Sequence, residues 1–167
     1  FMSPKNLDFK IGETVVYPKH GVGEVIKIES MEIANIKTMF YVVKMEQSKL
    51  TIRVPLDKQD EVGLRKISPK KVIEEVFSVL KLKPKIRRIM WSRRAQEYDA
   101  KIFSGDPIKI AEVVRDLFRK NTQAEQSYSE RQMFQIAIER LAREVAAVEK
   151  TDYFQSTEKI ETILRNK

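Results

Sequence analysis

The sequence predicts an α+β chain: a small β-barrel over residues 1–67, then a bundle of about five helices over residues 68–167. Two changes along the chain carry this reading. Up to Ile67 the apolar residues fall in short runs rich in valine, isoleucine and aromatics, punctuated by glycine and proline, which is the pattern of strands and tight turns. From Ser68 onward they recur every three or four residues, the period of an amphipathic helix.

In the first part, strands are expected at residues 13–17, 22–29, 39–45, 50–54 and 62–67. In the fourth run, Leu50, Ile52 and Val54 alternate with Thr51 and Arg53, so one face is apolar and the other polar. Glycines 12, 21, 23 and 63 suit the turns and bends of a small barrel, and Pro18 and Pro55 stand at strand ends, where a missing N–H does little harm. This density of strands is that of an SH3-like or Tudor-like barrel, which leaves an edge strand open to a partner. Asp57, Asp60 and Glu61 read as a solvated acidic turn.

Ser68-Pro69 reads as an N-cap followed by proline at the first helical position. Val72, Ile73, Val76, Phe77 and Leu80 continue at helical spacing until Pro84 stops the helix. A second helix is expected over 88–103. Gly105-Asp106-Pro107 then combines a terminating glycine with the cap and first residue of a third helix, which runs to about Lys120. Residues 121–128 read as a polar loop, with Ser127 and Glu130, or Ser129 and Gln132, as a capping box. Phe134, Ile138, Leu141, Val145 and Val148 define a long amphipathic helix to about 149, and a short last helix is expected over 157–164.

Composition narrows the function. The chain has no cysteine and a single histidine, His20, which lies in an apparent turn beside Gly21. Thiolate metal sites and disulfides are excluded, and a histidine-based triad has almost nothing to build on. The H-G-V-G-E-V segment lacks the second half of any phosphate-loop fingerprint. No carboxylate pair stands in an apolar setting that would tune one of them as an acid. The expectation is a non-enzymatic protein without cofactor or metal, lacking a charged-then-apolar leader and therefore cytoplasmic.

Charge points to a partner. The net charge of +8 divides as +2 over residues 1–67, +6 over 68–131 and 0 over 132–167. Residues 81–94, K-L-K-P-K-I-R-R-I-M-W-S-R-R, hold seven cations, no carboxylate and the only tryptophan. Such a segment suits phosphate, with Lys85, Arg87, Arg88, Arg93 and Arg94 around Trp91, whose flat ring could wedge between bases. A solvated helix face explains the charges equally well. For Trp91, periodicity by itself favours burial, and its neighbours argue against it. Trp91, Ala95, Tyr98 and Ile102 make a core stripe, whereas Met90, Ile86 and four flanking arginines favour exposure. Arg53 reads as the solvent face of a half-buried strand, or as a carboxylate partner should that strand be an edge.

These features together resemble the CarD/CdnL family of bacterial transcription regulators over nearly the whole chain. F-K-I-G-E-T-V-V-Y-P-K-H-G-V-G-E-V (9–25), L-T-I-R-V-P (50–55) and V-G-L-R (62–65) look like the polymerase-interaction domain shared with the transcription-repair coupling factor. W-S-R-R (91–94), S-G-D (104–106) and A-E-V-V-R-D-L (111–117) look like the CarD helical domain. The resemblance implies docking of a Tudor-like domain on the RNA polymerase β subunit through a strand edge. Arg53, Met31 and Pro55 would be contact positions, with Ile52 beside them. It further implies that the helical domain lies on promoter DNA at the upstream edge of the bubble. Trp91 would enter the minor groove there, and Arg93, Arg94 and Arg131 would contact DNA, association with the nucleoid following through polymerase. Met31 replaces an arginine of some relatives, and Gln96 replaces a lysine. Two other readings compete: a protein-interaction module without DNA contact, and a detached fragment related to the coupling factor. No membrane and no small-molecule substrate is expected.

Phosphate contacts carry no sequence information, and a minor-groove wedge reads deformability rather than base identity. The isolated protein is therefore expected to bind duplex DNA weakly, with similar affinity for unrelated sequences. That affinity should fall by roughly tenfold or more between 50 and 200 mM salt in fluorescence anisotropy titrations.

Overall fold

The computed structural model describes residues 7–119 and 127–167. It divides into two compact units, Phe1–Ile67 and Ser68–Lys167.

The first unit is a five-stranded antiparallel sheet. Its strands are β1 (Thr14–Tyr17), β2 (Gly21–Ile33), β3 (Ile36–Met45), β4 (Thr51–Pro55) and β5 (Arg65–Lys66), in the order β4-β3-β2-β1-β5. β2 and β3 run four and three residues further than the alternation suggested. Their two-residue turn, Ala34-Asn35, takes φ of 51° and 65°, the left-handed pair that matches the twist of a hairpin. The register shifts between Val25 and Lys27, a bulge that leaves Ile26 unpaired and 40% exposed. Beyond it Lys27, Glu29 and Met31 share the outer face, while Ile28 packs on the core. That core gathers Phe9, Val15, Val25, Tyr41, Val43 and Met45. Tyr41 is fully buried, and its hydroxyl accepts from the Asp8 N–H at 3.1 Å.

The strand expected over 62–67 is mostly something else. A 3-10 turn (Leu56–Lys58) leads into the short helix α1 (Gln59–Val62), which carries the chain from the β4 edge to the β5 edge. Gly63 caps α1 in the left-handed region at φ 75°, and only Arg65–Lys66 pairs as strand. Asp60 and Glu61 thus sit in the first turn of a helix, where carboxylates are favoured, rather than in a turn. Leu50, expected to face inward with Ile52 and Val54, precedes β4 and is 52% exposed. His20 lies in the β1–β2 turn, with its backbone N–H on the Tyr17 carbonyl at 2.8 Å.

The second unit holds five helices among the described residues: α2 (Lys70–Leu80), α3 (Trp91–Phe103), α4 (Pro107–Leu117), α5 (Tyr128–Glu149) and α6 (Tyr153–Arg165). α4 and α5 form its centre. α4, with Ile110, Ala111, Val113, Val114 and Leu117 buried, packs on α5, where Ala137, Ile138, Leu141, Ala142 and Val145 are buried. Three helices start on side-chain caps: Asp106 accepts from the Ile108 N–H at 2.9 Å, Ser127 from Glu130 at 3.1 Å and Asp152 from Gln155 at 2.8 Å. Asp152 starts α6 four residues before the expected 157.

Other boundaries also moved. Ser68 does not cap α2. Its N–H and hydroxyl both donate to the buried Glu144 carboxylate of α5, at 2.9 and 2.7 Å, and Pro69 takes the cap position. α3 begins at Trp91 rather than Arg88, which leaves residues 81–90 outside any helix. α4 ends at Leu117, and the expected polar loop lies outside the described residues apart from Ser127 and Tyr128, the latter already helical.

Gly23 of β2 has a packing role that its motif did not suggest. A Cβ there would stand 2.8 Å from Val43 Cγ1 and 3.0 Å from the Lys44 carbonyl oxygen. Val43 is fully buried and has nowhere to move. Gly23→Ala is therefore expected to destabilise the first unit by about 1–3 kcal/mol, seen as a lower thermal or urea midpoint.

Candidate nucleic-acid interface and docking edge

In the helical unit the basic segment is an exposed irregular strap between α2 and α3, held at several points. The Lys85 N–H donates to Asp116 Oδ1 at 2.9 Å, and Arg115 Nε donates to the same oxygen at 2.8 Å. Arg115 and Asp116 are both 3% exposed, so the carboxylate is a fully desolvated anchor whose charge is met on the spot. Near the strap's start, Lys167 Nζ donates to the Leu82 carbonyl at 2.6 Å. Near its end, Arg87 Nη1 pairs with Glu97 of α3 at 2.5 Å. That pair is exposed, and its net contribution is small. Lys83, Lys85, Arg88 and Arg93 are exposed, and their side chains make no ion pair among the described residues. Their charges are therefore available to an anion.

Trp91 opens α3, and the structure resolves the two sequence readings by splitting them along the helix. Tyr98 is 6% and Ile102 1% exposed, so the stripe is the buried one. Trp91 is its N-terminal end, where the stripe emerges from the core, and it is half-buried. Ile86 and Met90, the competing stripe, are not helical and are 47% and 75% exposed. The Trp91 indole N–H donates to Ser129 Oγ at 3.2 Å, which brings the start of α5 against the start of α3. The Arg94 guanidinium lies 5.4 Å from the Trp91 ring centroid and 5.6 Å from that of Tyr98, and its Nη2 donates to the Tyr98 hydroxyl at 3.2 Å. Arg94 is thus half-buried against two rings, unlike the exposed Arg93 that precedes it on the helix. Arg131, one turn into α5, is exposed, with no side-chain ion pair among the described residues.

The sequence reading missed Ser129, Tyr98 and Asp116 as parts of this site. Tyr98 was legible as a core residue at helical spacing from Trp91. Ser129 lies 38 residues away along the chain and carries no local signal of that contact.

In the first unit β4 is an edge strand, paired among the described residues only with β3. The register places Arg53 opposite Val42 and Lys27, and Pro55 opposite Phe40 and Glu29. Met31, paired with Thr38, continues that outer face and is 42% exposed. Arg53, Pro55 and Met31 therefore share one face. Ile52 points the other way and packs partly buried against the core, so any contribution to docking passes through its backbone at the edge. Arg53 Nε is paired with Glu29 Oε1 at 2.8 Å, and Lys27 Nζ reaches the other oxygen of the same carboxylate at 2.9 Å. The bond from Arg53, then that from Lys27, holds the Glu29 carboxyl below the usual carboxylate range. The pairing is complete at neutral pH and is lost as pH falls through that lowered value. Among the described residues no group of three or more His, Cys, Asp or Glu could hold a metal, and no helix is long and apolar enough to cross a membrane.

The family model described as CarD, C-terminal domain, matches residues 75–161, and that described as CarD-like/TRCF RID domain matches residues 9–68. The chain belongs to the CarD/CdnL family of transcription factors. Its first unit is the RNA polymerase interaction domain of that family. It is 30% identical over 140 residues to the putative transcription factor YdeB of Bacillus subtilis (strain 168), covering 84% of this chain and 92% of the relative. A solved structure, CdnLNt from Myxococcus xanthus, is 42% identical over 37% of this chain and 87% of its own, with a TM-score of 0.32.

For a CarD-family chain with one tryptophan, quenching reports directly on this site. Surrounding cations concentrate anions, so iodide is expected to quench Trp91 at least about twice as effectively as caesium, with the gap closing in high salt. Protection from both ions would mean a ring out of reach of DNA.

Proposed function

We propose that this CarD-family protein docks on the β subunit of RNA polymerase through the β4 edge and stabilises open promoter complexes by inserting Trp91 into the minor groove at the upstream edge of the bubble. The observation that carries the reading is the position of Trp91. A half-buried aromatic, emerging from a core stripe at a helix start, stands beside exposed Arg93 and a strap of cations tied down by its backbone.

In this reading the exposed cations Lys85, Arg88, Arg93 and Arg131 meet phosphate, and the ring fills the gap left by an unstacked base step. Arg87 contributes by exchanging Glu97 for phosphate. Collapse of the bubble must then first expel the ring, which slows closure. The β4 edge offers unpaired backbone to a partner strand, with Arg53 exchanging Glu29 for, or sharing it with, a carboxylate of the partner, and Met31 and Pro55 supplying apolar contact. Neither contact needs to be strong alone, because tethering through polymerase raises the local concentration of the helical unit at the DNA. The 1–67 unit would be the polymerase module and 68–167 the DNA module, and no step is catalytic.

Two variants test the halves separately. Trp91→Ala should bind polymerase normally yet shorten the open-complex lifetime to near its value without the protein. Arg53→Glu should keep its fold and lose polymerase binding by about tenfold or more, the scale for truncating one partner of an interfacial charge pair. A Trp91→Ala protein that stabilises open promoters as well as wild type would sink the wedge. Unimpaired binding by Arg53→Glu would remove the β4 edge as the docking surface.

A further inference from the structure

Resting on the wedge reading, we infer that Ser129 and Arg94 are positioning residues that clamp the Trp91 ring in its working orientation, and that Arg94 acts through the ring rather than as a phosphate contact.

Three contacts converge on Trp91. The indole N–H is its only polar atom, and it is engaged by Ser129 Oγ at 3.2 Å. The accessible part of the half-buried ring is therefore carbon, the chemistry suited to entering between bases without seeking a hydrogen bond there. Against the ring stand both the Arg94 guanidinium, 5.4 Å from its centroid, and buried Tyr98, its ring 6.2 Å from that of Trp91. Arg94 is itself fixed. Its Nη2 donates to the Tyr98 hydroxyl at 3.2 Å, and its Nε is buried, with no hydrogen-bond partner among the described residues. A guanidinium meant for phosphate would present its donors to solvent, as exposed Arg93 does. One held against two aromatic rings serves those rings with a planar group that lysine lacks.

Ser129 comes from the first turn of α5, a helix whose own start is fixed by the Ser127 cap and by Glu130 paired with Arg119 at 3.4 Å. The hydroxyl is thus offered from a rigid frame. An unclamped tryptophan at a helix start would sample several rotamers and lose that freedom on insertion. A clamped one has lost it already, which is worth roughly threefold to tenfold in the stability of the inserted state.

The test uses full-length variants on polymerase–promoter open complexes, with the single indole ¹H–¹⁵N resonance of Trp91 as a readout of the clamp. Ser129→Ala and Arg94→Lys are each expected to shorten the open-complex lifetime by about threefold to tenfold. Both should accelerate solvent exchange of the indole proton and leave polymerase affinity unchanged. Ser129→Thr keeps the hydroxyl and should restore both signals. Added to Trp91→Ala, Ser129→Ala should cost nothing further. Full activity in Arg94→Lys would return Arg94 to a charge role and overturn its part. An unchanged lifetime in Ser129→Ala would overturn the clamp while Trp91→Ala still loses function. A lengthened lifetime would also overturn it, since the bond would then restrain the ring from DNA. Additional loss in the Trp91→Ala background would assign Ser129 to DNA directly. If Trp91→Ala itself behaves as wild type, the wedge reading has failed, independently of what the indole resonance reports about the contact.

Discussion

Asp116 is the constraint on which the cation-rich end of the helical unit depends. One oxygen of this buried carboxylate receives both the neighbouring Arg115 guanidinium and the backbone N–H of Lys85. A lone buried charge would be expelled or protonated, so the site exists only because both donors reach it. The consequence is mechanical. A strap rich in cations, which repel one another and would otherwise extend into solvent, is fastened by its backbone to the best-packed helix of the unit. Apart from Arg87, which pairs with Glu97, its lysine and arginine side chains are then left outward, because the attachment to Asp116 uses only the Lys85 backbone. From the same turn, Arg119 bonds the Asp116 and Phe118 carbonyls and reaches Glu130 at the start of α5. That links the strap to the helix that carries Ser129. The N-terminus of α3, the strap and the start of α5 are thereby registered to one another through α4.

Charge and apolar surface are handled differently at the two ends of the chain. In the helical unit most cations on the strap have no carboxylate partner among the described residues, the arrangement expected where phosphate is to supply the counter-charge. On the sheet, Arg53 is answered in advance by Glu29, and Glu29 by Lys27. A pre-paired arginine is held in one orientation and gives a partner a defined geometry, at the expense of competing with Glu29. A partner docking there would have to offer more than a single carboxylate, and the β4 backbone, unpaired on its outer side among the described residues, would be the remainder together with Met31 and Pro55.

Much of this was legible along the chain. The change of period at Ser68, the Gly105-Asp106-Pro107 signal and the stripe of α5 each arise from local rules, and the elements they announce are present. The failures have equally physical causes. Val62 reads as strand from composition, but the chain must cross between the two sheet edges there, and a short helix closed by Gly63 makes that crossing. Ser68 reads as a cap, but a buried Glu144 offered both of its donors a stronger acceptor. Arg88 reads as helical, yet with Lys85 tied to Asp116 the strap continues to Met90 before α3 begins.

The sequence alone determined the two-part α+β plan, the concentration of positive charge in the middle third and the family to which the chain belongs. These are properties of composition, periodicity and short motifs, all of them written in near neighbours. It left open whether Trp91 is core or surface, because spacing describes a helix face but not where along that face the core ends. Only the tertiary structure decided that the stripe surfaces at Trp91, that Arg94 lies against two rings while Arg93 is exposed, and that the indole rests on Ser129. Those facts depend on contacts between residues far apart in the chain, and no local rule constrains which hydroxyl a distant helix brings to hand.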